Sequence, residues 1–273
     1  MAKQVAVETD FAAARRPMRR RLSRWLGALA GIVALAIAGF LLWALTPLGP
    51  DTVALDALES DADVSVVRTE IAWEFAPASE DPRVGLIFYP GGRVDARSYA
   101  PLARELARNG YLVAIVPMPL NLAVLSPDRA DGVIAGHPEI AIWTIAGHSL
   151  GGAMAAQYAD ENRATISGLG LLAAYPPSTT DLGDAEMQVV SVYGTRDGVL
   201  SEENFSEGMM RLPADVSVVG IDGANHAGFG SYGEQPGDNP AEIGPEEQLE
   251  ATVETLGRML VPLRIRAGTD ENG

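Results

Sequence analysis

The sequence contains no cysteine among its 273 residues and only three histidines. The absence of cysteine excludes disulfides, cysteine-ligated zinc, iron–sulfur clusters and a cysteine nucleophile, and it leaves the redox compartment undetermined. The small number of histidines argues against a histidine-rich metal site. Hydrophobic residues make up 47% of the chain, which is enough for one sizeable core in a single catalytic-sized domain.

Basic residues are scarce outside the N-terminus. Residues 1–24 carry seven basic and two acidic side chains, whereas the rest of the chain has 13 basic and 34 acidic ones. The acidic part of the chain after residue 24 repels polyanions, which argues against nucleic acid as a partner. The sequence leaves the oligomeric state undetermined.

Charged residues are absent from residues 25–46. As a helix these residues would extend roughly 33 Å, enough to cross a hydrocarbon core of about 30 Å, and they predict a transmembrane helix. Trp25 and Trp43 lie near its ends, and the arginines precede it, so the positive-inside tendency predicts a cytoplasmic N-terminus at 1–24 and an extracytoplasmic domain. A cleaved signal peptide and a buried core helix remain alternatives, although a signal peptide has a shorter apolar run.

Three regions are predicted after the apolar segment. Residues 47–63 combine proline, glycine and scattered acids and predict a spacer. Residues 64–263 predict one domain, and residues 264–273 lack an apolar period and predict a flexible tail.

Within the domain, apolar runs alternate with segments of helical period. The predicted strands are two runs within 63–77 and residues 84–89, 111–119, 140–147, 166–174, 188–194 and 216–223; the predicted helices are 98–110, 128–138, 151–162, 201–212 and 244–263. This alternation predicts an α/β fold with a mostly parallel sheet covered by helices on both faces. Functional groups in such sheets collect beyond the carboxyl ends of the strands.

The segment AGHSLGG links a predicted strand to a predicted helix. This strand–turn–helix setting favours a strained turn that exposes a nucleophilic serine, Ser149, at its tip. Gly147 and Gly151 lack the Cβ atoms that would collide where strand and helix approach each other. The pattern therefore predicts Ser149 as a nucleophile.

A serine hydroxyl needs a base to take its proton. His148 adjoins Ser149 but should diverge from it, and His137 lies at the opposite end of the incoming strand, so both are interpreted as structural. His226 follows the strand 216–223, and Asp197 follows the strand 188–194, at the same predicted sheet edge as Ser149. The chain order serine, aspartate, histidine is the one expected for a catalytic triad on a parallel sheet.

An oxyanion hole needs backbone N–H groups directed at the developing negative charge. One is expected from Leu150, the residue after the nucleophile. The second is expected from the loop YPGGRVD after the strand 84–89, with Gly92 favoured and Gly91 or Arg93 as alternatives.

These motifs resemble those of the alpha/beta hydrolase superfamily over nearly the whole of residues 64–263. GHSLGG, GTRDG and GANHAGFG stand where the family carries nucleophile, acid and histidine, and YPGG stands where many members have His-Gly. The likeness is greatest to the small dienelactone-hydrolase-like branch, whose name-giving enzymes use cysteine, so the serine is a departure. The resemblance implies the alpha/beta hydrolase fold, hydrolysis of esters or related acyl groups, and no cofactor.

Many relatives insert a lid after the strand that corresponds to 166–174, whereas here only residues 175–187 precede the next strand. We therefore expect no separate cap domain. The acids of residues 233–247 lack the regular spacing of a calcium loop and are interpreted as a solvated surface; no metal is expected.

The resulting hypothesis is a membrane-anchored serine hydrolase that cleaves a small-molecule acyl ester. One alternative is a non-catalytic binding module on the same fold. Another is amide or thioester hydrolysis, or acyl transfer, by the same residues.

Overall fold

The computed structural model describes residues 11–269, which divide into two units. The first unit consists of helix α1, Phe11–Ala44, and the second begins at Thr46. Residues 1–10 of the predicted basic segment and 270–273 of the predicted tail lie outside the described residues.

Helix α1 contains residues 25–44 of the predicted apolar segment 25–46. Its part Trp25–Ala44 is the one helix within residues 11–269 that is long and apolar enough to cross a membrane. A signal sequence near the N-terminus satisfies the same criteria of length and apolar composition. An apolar helix is therefore confirmed over residues 25–44, and the membrane-spanning role stays a prediction.

The second unit is an α/β domain. Its strands are β1 (Val64–Arg68), β2 (Trp73–Pro77), β3 (Val84–Tyr89), β4 (Leu112–Ile115), β5 (Ile142–His148), β6 (Ile166–Leu172), β7 (Gln188–Gly194) and β8 (Ser217–Ile221). Its helices are α2 (Thr52–Asp56), α3 (Ala100–Arg108), α4 (Ala130–Gly136), α5 (Leu150–Glu161), α6 (Glu202–Met209) and α7 (Pro245–Thr269).

All eight strands form one sheet in the order β1-β2-β4-β3-β5-β6-β7-β8. Strand β2 is antiparallel to both of its neighbours, and every other pair is parallel. The prediction of a mostly parallel sheet is confirmed. Because parallel strands share their direction, the loops after β3, β5, β7 and β8 meet at one edge of the sheet.

The sheet separates two hydrophobic cores, and β3 contributes to both because successive side chains of a strand point to opposite faces. Leu86 and Phe88 pack on the face that carries α3 and α7. Ile87 and Tyr89 pack on the face that carries α4 and α5. All six residues of β3 are buried, which explains why this strand is apolar without alternation.

The segment predicted as a spacer belongs to the domain. Leu48 pairs with Val94 in an isolated bridge, and the Asp51 carboxylate caps α2 by accepting a hydrogen bond from the Ala54 N–H. Ala54 is fully buried. The prediction of a separate spacer at 47–63 is wrong because its few apolar side chains contact residues distant in sequence.

The last helix is longer than predicted. It continues through Pro262 to Thr269, six residues beyond the predicted end. Ala267 is buried, and Arg264 forms an ion pair with Glu80 at 3.0 Å. Residues 264–269 are therefore part of the fold and not of a flexible tail.

The connection between β6 and β7 contains no helix or strand in residues 173–187. The prediction that the domain lacks a separate cap at this position is confirmed.

Candidate active site

Ser149 lies at the tip of the turn between β5 and α5, with φ 51° and ψ −123°. This positive φ is unusual for a residue other than glycine and marks a strained turn. A Cβ on Gly151 would overlap the carbonyl oxygens of Tyr89 and Pro90, and one on Gly147 would lie 2.5 Å from the Gly151 carbonyl carbon. Both glycines are therefore required by the close approach of strand and helix.

Asp197 and His226 meet at the same sheet edge. Their Oδ2 and Nδ1 atoms are 2.8 Å apart, and the two side chains are 3% and 2% exposed. The other oxygen of Asp197 accepts hydrogen bonds from the N–H groups of Val199 and Leu200. With Nδ1 donating to the carboxylate, the second ring nitrogen of His226 is left with its lone pair.

The Nε2 atom of His226 is buried and has no hydrogen-bond partner within residues 11–269, and a bond to the Ser149 hydroxyl is absent from that set. The His226 ring instead contacts that of His148 in a tilted arrangement, with ring centroids 4.6 Å apart and an interplanar angle of 48°. His226 thus lies against the residue next to Ser149. In structures without substrate, catalytic hydrogen bonds are often long or poorly aligned.

His148 connects the serine turn to the loop after β3. The Tyr99 hydroxyl accepts a hydrogen bond from the Gly91 N–H at 2.9 Å and donates to His148 Nδ1 at 2.8 Å. Burial raises the pKa of Tyr99, so this hydroxyl keeps its proton. Burial, together with the neighbouring His226, lowers the pKa of His148 well below its ordinary value, so the ring is neutral. The structural interpretation of His148 agrees with these contacts.

Three N–H groups of the loop after β3 are candidate oxyanion donors, those of Gly91, Gly92 and Arg93, and two of them are already paired. Gly91 donates to Tyr99, and Arg93 donates to the Asn121 carbonyl at 2.8 Å. The N–H groups of Gly92 and Leu150 donate to no acceptor within the described part of the chain. A Cβ on Gly92 would lie 3.2 Å from Leu150 Cδ2, so the two residues are adjacent. Leu150 also begins α5, whose N-terminus favours negative charge.

Asp238 was not identified from the sequence. Its Oδ1 accepts a hydrogen bond from the Gly198 N–H at 2.9 Å, and its Oδ2 accepts one from the Ala227 N–H at 2.8 Å. These donors directly follow Asp197 and His226, so one carboxylate joins the two loops. Interpreting all acids of 233–247 as a solvated surface is therefore wrong for Asp238. The sequence around Asp238 gave no indication of this role, because both hydrogen-bond partners are distant in sequence.

A cavity of about 550 Å³ lies beside the His226 loop, on the α3 and α7 side of the sheet. Tyr99, Phe229, Asp238 and Gln248 are among its lining residues, but Ser149 is not. The cavity is thus separate from the serine turn.

Comparisons with known proteins agree with this architecture. A family model described as "Alpha/beta hydrolase family" matches residues 85–250, more than half of the chain. A search of the curated proteins gives no match.

Several solved structures have the same fold. Est1E from Butyrivibrio proteoclasticus, with ferulic acid bound, has a TM-score of 0.55 and 14% identity over 74% of this chain and 98% of that chain. The esterase domain of a Rhodothermus marinus protein has a TM-score of 0.54 and 15% identity over 71% and 96%. A bacterial membrane phospholipase A has a TM-score of 0.54 and 16% identity over 89% and 99%. At such identities the likeness shows the fold alone.

Proposed function

Because the chain belongs to the alpha/beta hydrolase family, we propose that it is a serine hydrolase that cleaves carboxylic esters through an acyl-enzyme. Ser149 attacks the carbonyl carbon, His226 takes the serine proton, and Asp197 orients the histidine. His226 then returns the proton to the leaving alkoxide. Water attacks the acyl-enzyme with His226 again as base, which releases the acid and restores Ser149.

The observation that carries this proposal is the strained Ser149 turn next to a buried, carboxylate-paired histidine. A histidine held by Asp197 at Nδ1 and unpaired at Nε2 has the lone pair that a general base needs. The similar Rhodothermus marinus structure, whose description names an esterase domain, favours an ester over an amide or thioester.

The oxyanion is assigned to the N–H groups of Leu150 and Gly92. Both groups are unpaired within residues 11–269, whereas those of Gly91 and Arg93 are already used in hydrogen bonds. Backbone donors that are fixed before the reaction stabilise developing charge without reorganisation. These pairings support Gly92 over Gly91 and Arg93 as the second donor.

We also propose that Trp25–Ala44 anchors the protein in a membrane, with the N-terminus in the cytoplasm and the domain outside. The proposal is supported by the length and apolar composition of the helix and by the basic residues that precede it.

The nucleophile is tested by Ser149→Ala. We expect turnover of p-nitrophenyl acetate to fall by about 10⁴-fold or more, because the acyl-enzyme cannot form, and labelling by a fluorophosphonate probe to disappear. Ser178→Ala is the matched control, since Ser178 is exposed in the loop after β6. A Ser149→Ala variant that keeps wild-type turnover or labelling would refute the mechanism.

A further inference from the structure

The chain that leaves the apolar helix is bound directly to the loop of Gly92. The Leu48 N–H donates to the Arg93 carbonyl at 2.7 Å, and the Leu48 carbonyl accepts from the Asp95 N–H at 2.9 Å. The Arg93 guanidinium donates to the Thr46 carbonyl at 2.8 Å. Residues 46–48 are thus an additional strand-like edge of the loop that carries the second oxyanion donor.

Few residues separate this edge from the apolar helix. The helix ends at Ala44, so only Leu45, Thr46 and Pro47 precede Leu48. At no more than about 3.6 Å per residue, four peptide units extend at most about 14 Å. The chain between the end of the helix and the edge of the Gly92 loop is therefore short.

The Gly92 loop is also hydrogen-bonded to a second loop at the edge of the site, residues 116–127, which we call the apolar loop. The Asn121 carbonyl accepts the Arg93 N–H at 2.8 Å. Leu122 Cδ2 would lie 4.0 Å from a Cβ on Gly92, and the turn that contains Val124 and Leu125 packs against α5. The apolar loop is therefore next to both proposed oxyanion donors.

The composition of this loop differs from the rest of the domain. Residues 116–127 contain no charged side chain, in a chain whose part after residue 24 has 34 acidic residues. Val124 and Leu125 are 53% and 49% exposed. An uncharged rim with exposed aliphatic side chains is favourable at a bilayer surface, where acidic side chains would be repelled by anionic lipids.

We propose that the acyl ester cleaved at Ser149 is carried by a lipid of the membrane, which enters from the bilayer surface over Val124 and Leu125. This inference rests on the proposed hydrolase function and on the proposed anchor. The chain between the proposed anchor and the Gly92 loop is short, and the exposed side chains of Val124 and Leu125 offer apolar contacts to an acyl chain. The reaction releases a fatty acid and the deacylated lipid, with water as the only co-reactant.

The test compares two esters with the same leaving group, using the full-length protein reconstituted in phosphatidylcholine vesicles. One ester is p-nitrophenyl palmitate dissolved in the bilayer, and the other is p-nitrophenyl acetate in the aqueous phase. In the double variant Val124→Ser, Leu125→Ser, we expect the ratio of palmitate to acetate turnover to fall about tenfold, because two aliphatic contacts with the bilayer are lost.

The matched control is Val261→Ser, Ile265→Ser, which changes two aliphatic side chains of α7 that are 52% and 64% exposed. Its turnover ratio should equal that of the wild type. An unchanged ratio in the Val124, Leu125 variant, or an equal fall in the control, would overturn the inference. If the double variant does not fold, Val124→Thr replaces it, since threonine keeps the shape and adds only a hydroxyl group.

The outcomes for the wild type separate the two proposals. A wild-type protein that hydrolyses the acetate but not the bilayer palmitate refutes the lipid substrate and leaves the hydrolase function intact. A wild-type protein that hydrolyses neither ester and resists fluorophosphonate labelling refutes both.

Discussion

Asp238 shows how a single side chain can set the geometry of two loops. Because its two oxygens bind the N–H groups of Gly198 and Ala227, it fixes the distance between the loops of Asp197 and His226. A misplacement of about 1 Å at reacting groups can cost on the order of 10²-fold in rate. We interpret Asp238 as a positioning residue that acts through Asp197 and His226.

We expect Asp238→Ala to lower kcat on p-nitrophenyl acetate by about 10- to 100-fold while KM changes less than about twofold, because both oxygens of this carboxylate already bind N–H groups of the two loops. Asp238→Asn keeps one acceptor oxygen and should recover part of the loss. Glu234→Ala, at an exposed neighbouring acid, is the control and should behave as the wild type. Equal activity of Asp238→Ala and the control would remove the positioning role.

A second prediction at this scale concerns acid stability. The folded-state pKa of His148 is held well below 6.5 by burial and by His226, so the folded ring stays neutral while the unfolded chain binds a proton as the pH falls. The stability is therefore present above pH 6.5 and is lost below it. The groups that face this ring include Tyr99 and His226.

In His148→Asn the amide oxygen can accept the Tyr99 hydroxyl, but the titrating group is gone. Between pH 6.5 and 5.5, the free energy of unfolding of the wild type should fall by about 1 kcal/mol more than that of the variant. Urea titrations at the two pH values measure this difference. Parallel losses in the two proteins would contradict the assignment.

At the scale of elements, the apolar strands could be predicted from the sequence, and β3 and β7 have the predicted bounds. Buried strands in a parallel sheet are identified by local composition alone. The structure of segment 47–63 and the end of α7 could not be predicted from local composition. Both depend on contacts between residues far apart in the chain, such as Leu48 with Val94 and Arg264 with Glu80.

The candidate site divides in the same way. Ser149, Asp197 and His226 could be selected because each follows a recognisable strand at the same sheet edge. The hydrogen-bonded chain from Gly91 through Tyr99 to His148 could not, because Tyr99 and His148 are distant in sequence and meet only when β5 pairs with β3. Sequence patterns report local periodicity, whereas such links depend on tertiary packing.

The end of α7 gives a prediction at this scale. A chain that ends at Leu263 loses buried Ala267 and the contacts of Arg264 with Glu80 and the Tyr111 ring. Relative to a chain that ends at Thr269, we expect the free energy of unfolding to fall by roughly 1–2 kcal/mol, mostly from lost apolar burial, because exposed ion pairs contribute little. Urea denaturation in detergent measures it. Identical free energies of unfolding for the two chains would show that residues 264–269 do not stabilise the fold.

For the whole molecule, the distribution of charge predicts the topology. The seven basic residues of 1–24 should stay on the cytoplasmic side, because translocating them is unfavourable. Protease is added to cells whose cytoplasmic membrane is intact and whose outer layers have been made permeable to it. It should degrade the domain and leave a membrane-bound N-terminal fragment. A cytoplasmic protein that remains intact is the control, and a domain protected until the cells are opened would reverse the topology.

The three residues that separate Ala44 from Leu48 also change how a protein anchored as proposed would find its substrate. A domain tethered by a link of about 14 Å meets its substrate by diffusion within the membrane plane and not through the surrounding solution. The rate of encounter therefore depends on the mole fraction of substrate within the bilayer. Adding more bilayer of the same composition would leave the turnover per molecule unchanged. Diluting the substrate with inert lipid would reduce that turnover, as in any two-dimensional search.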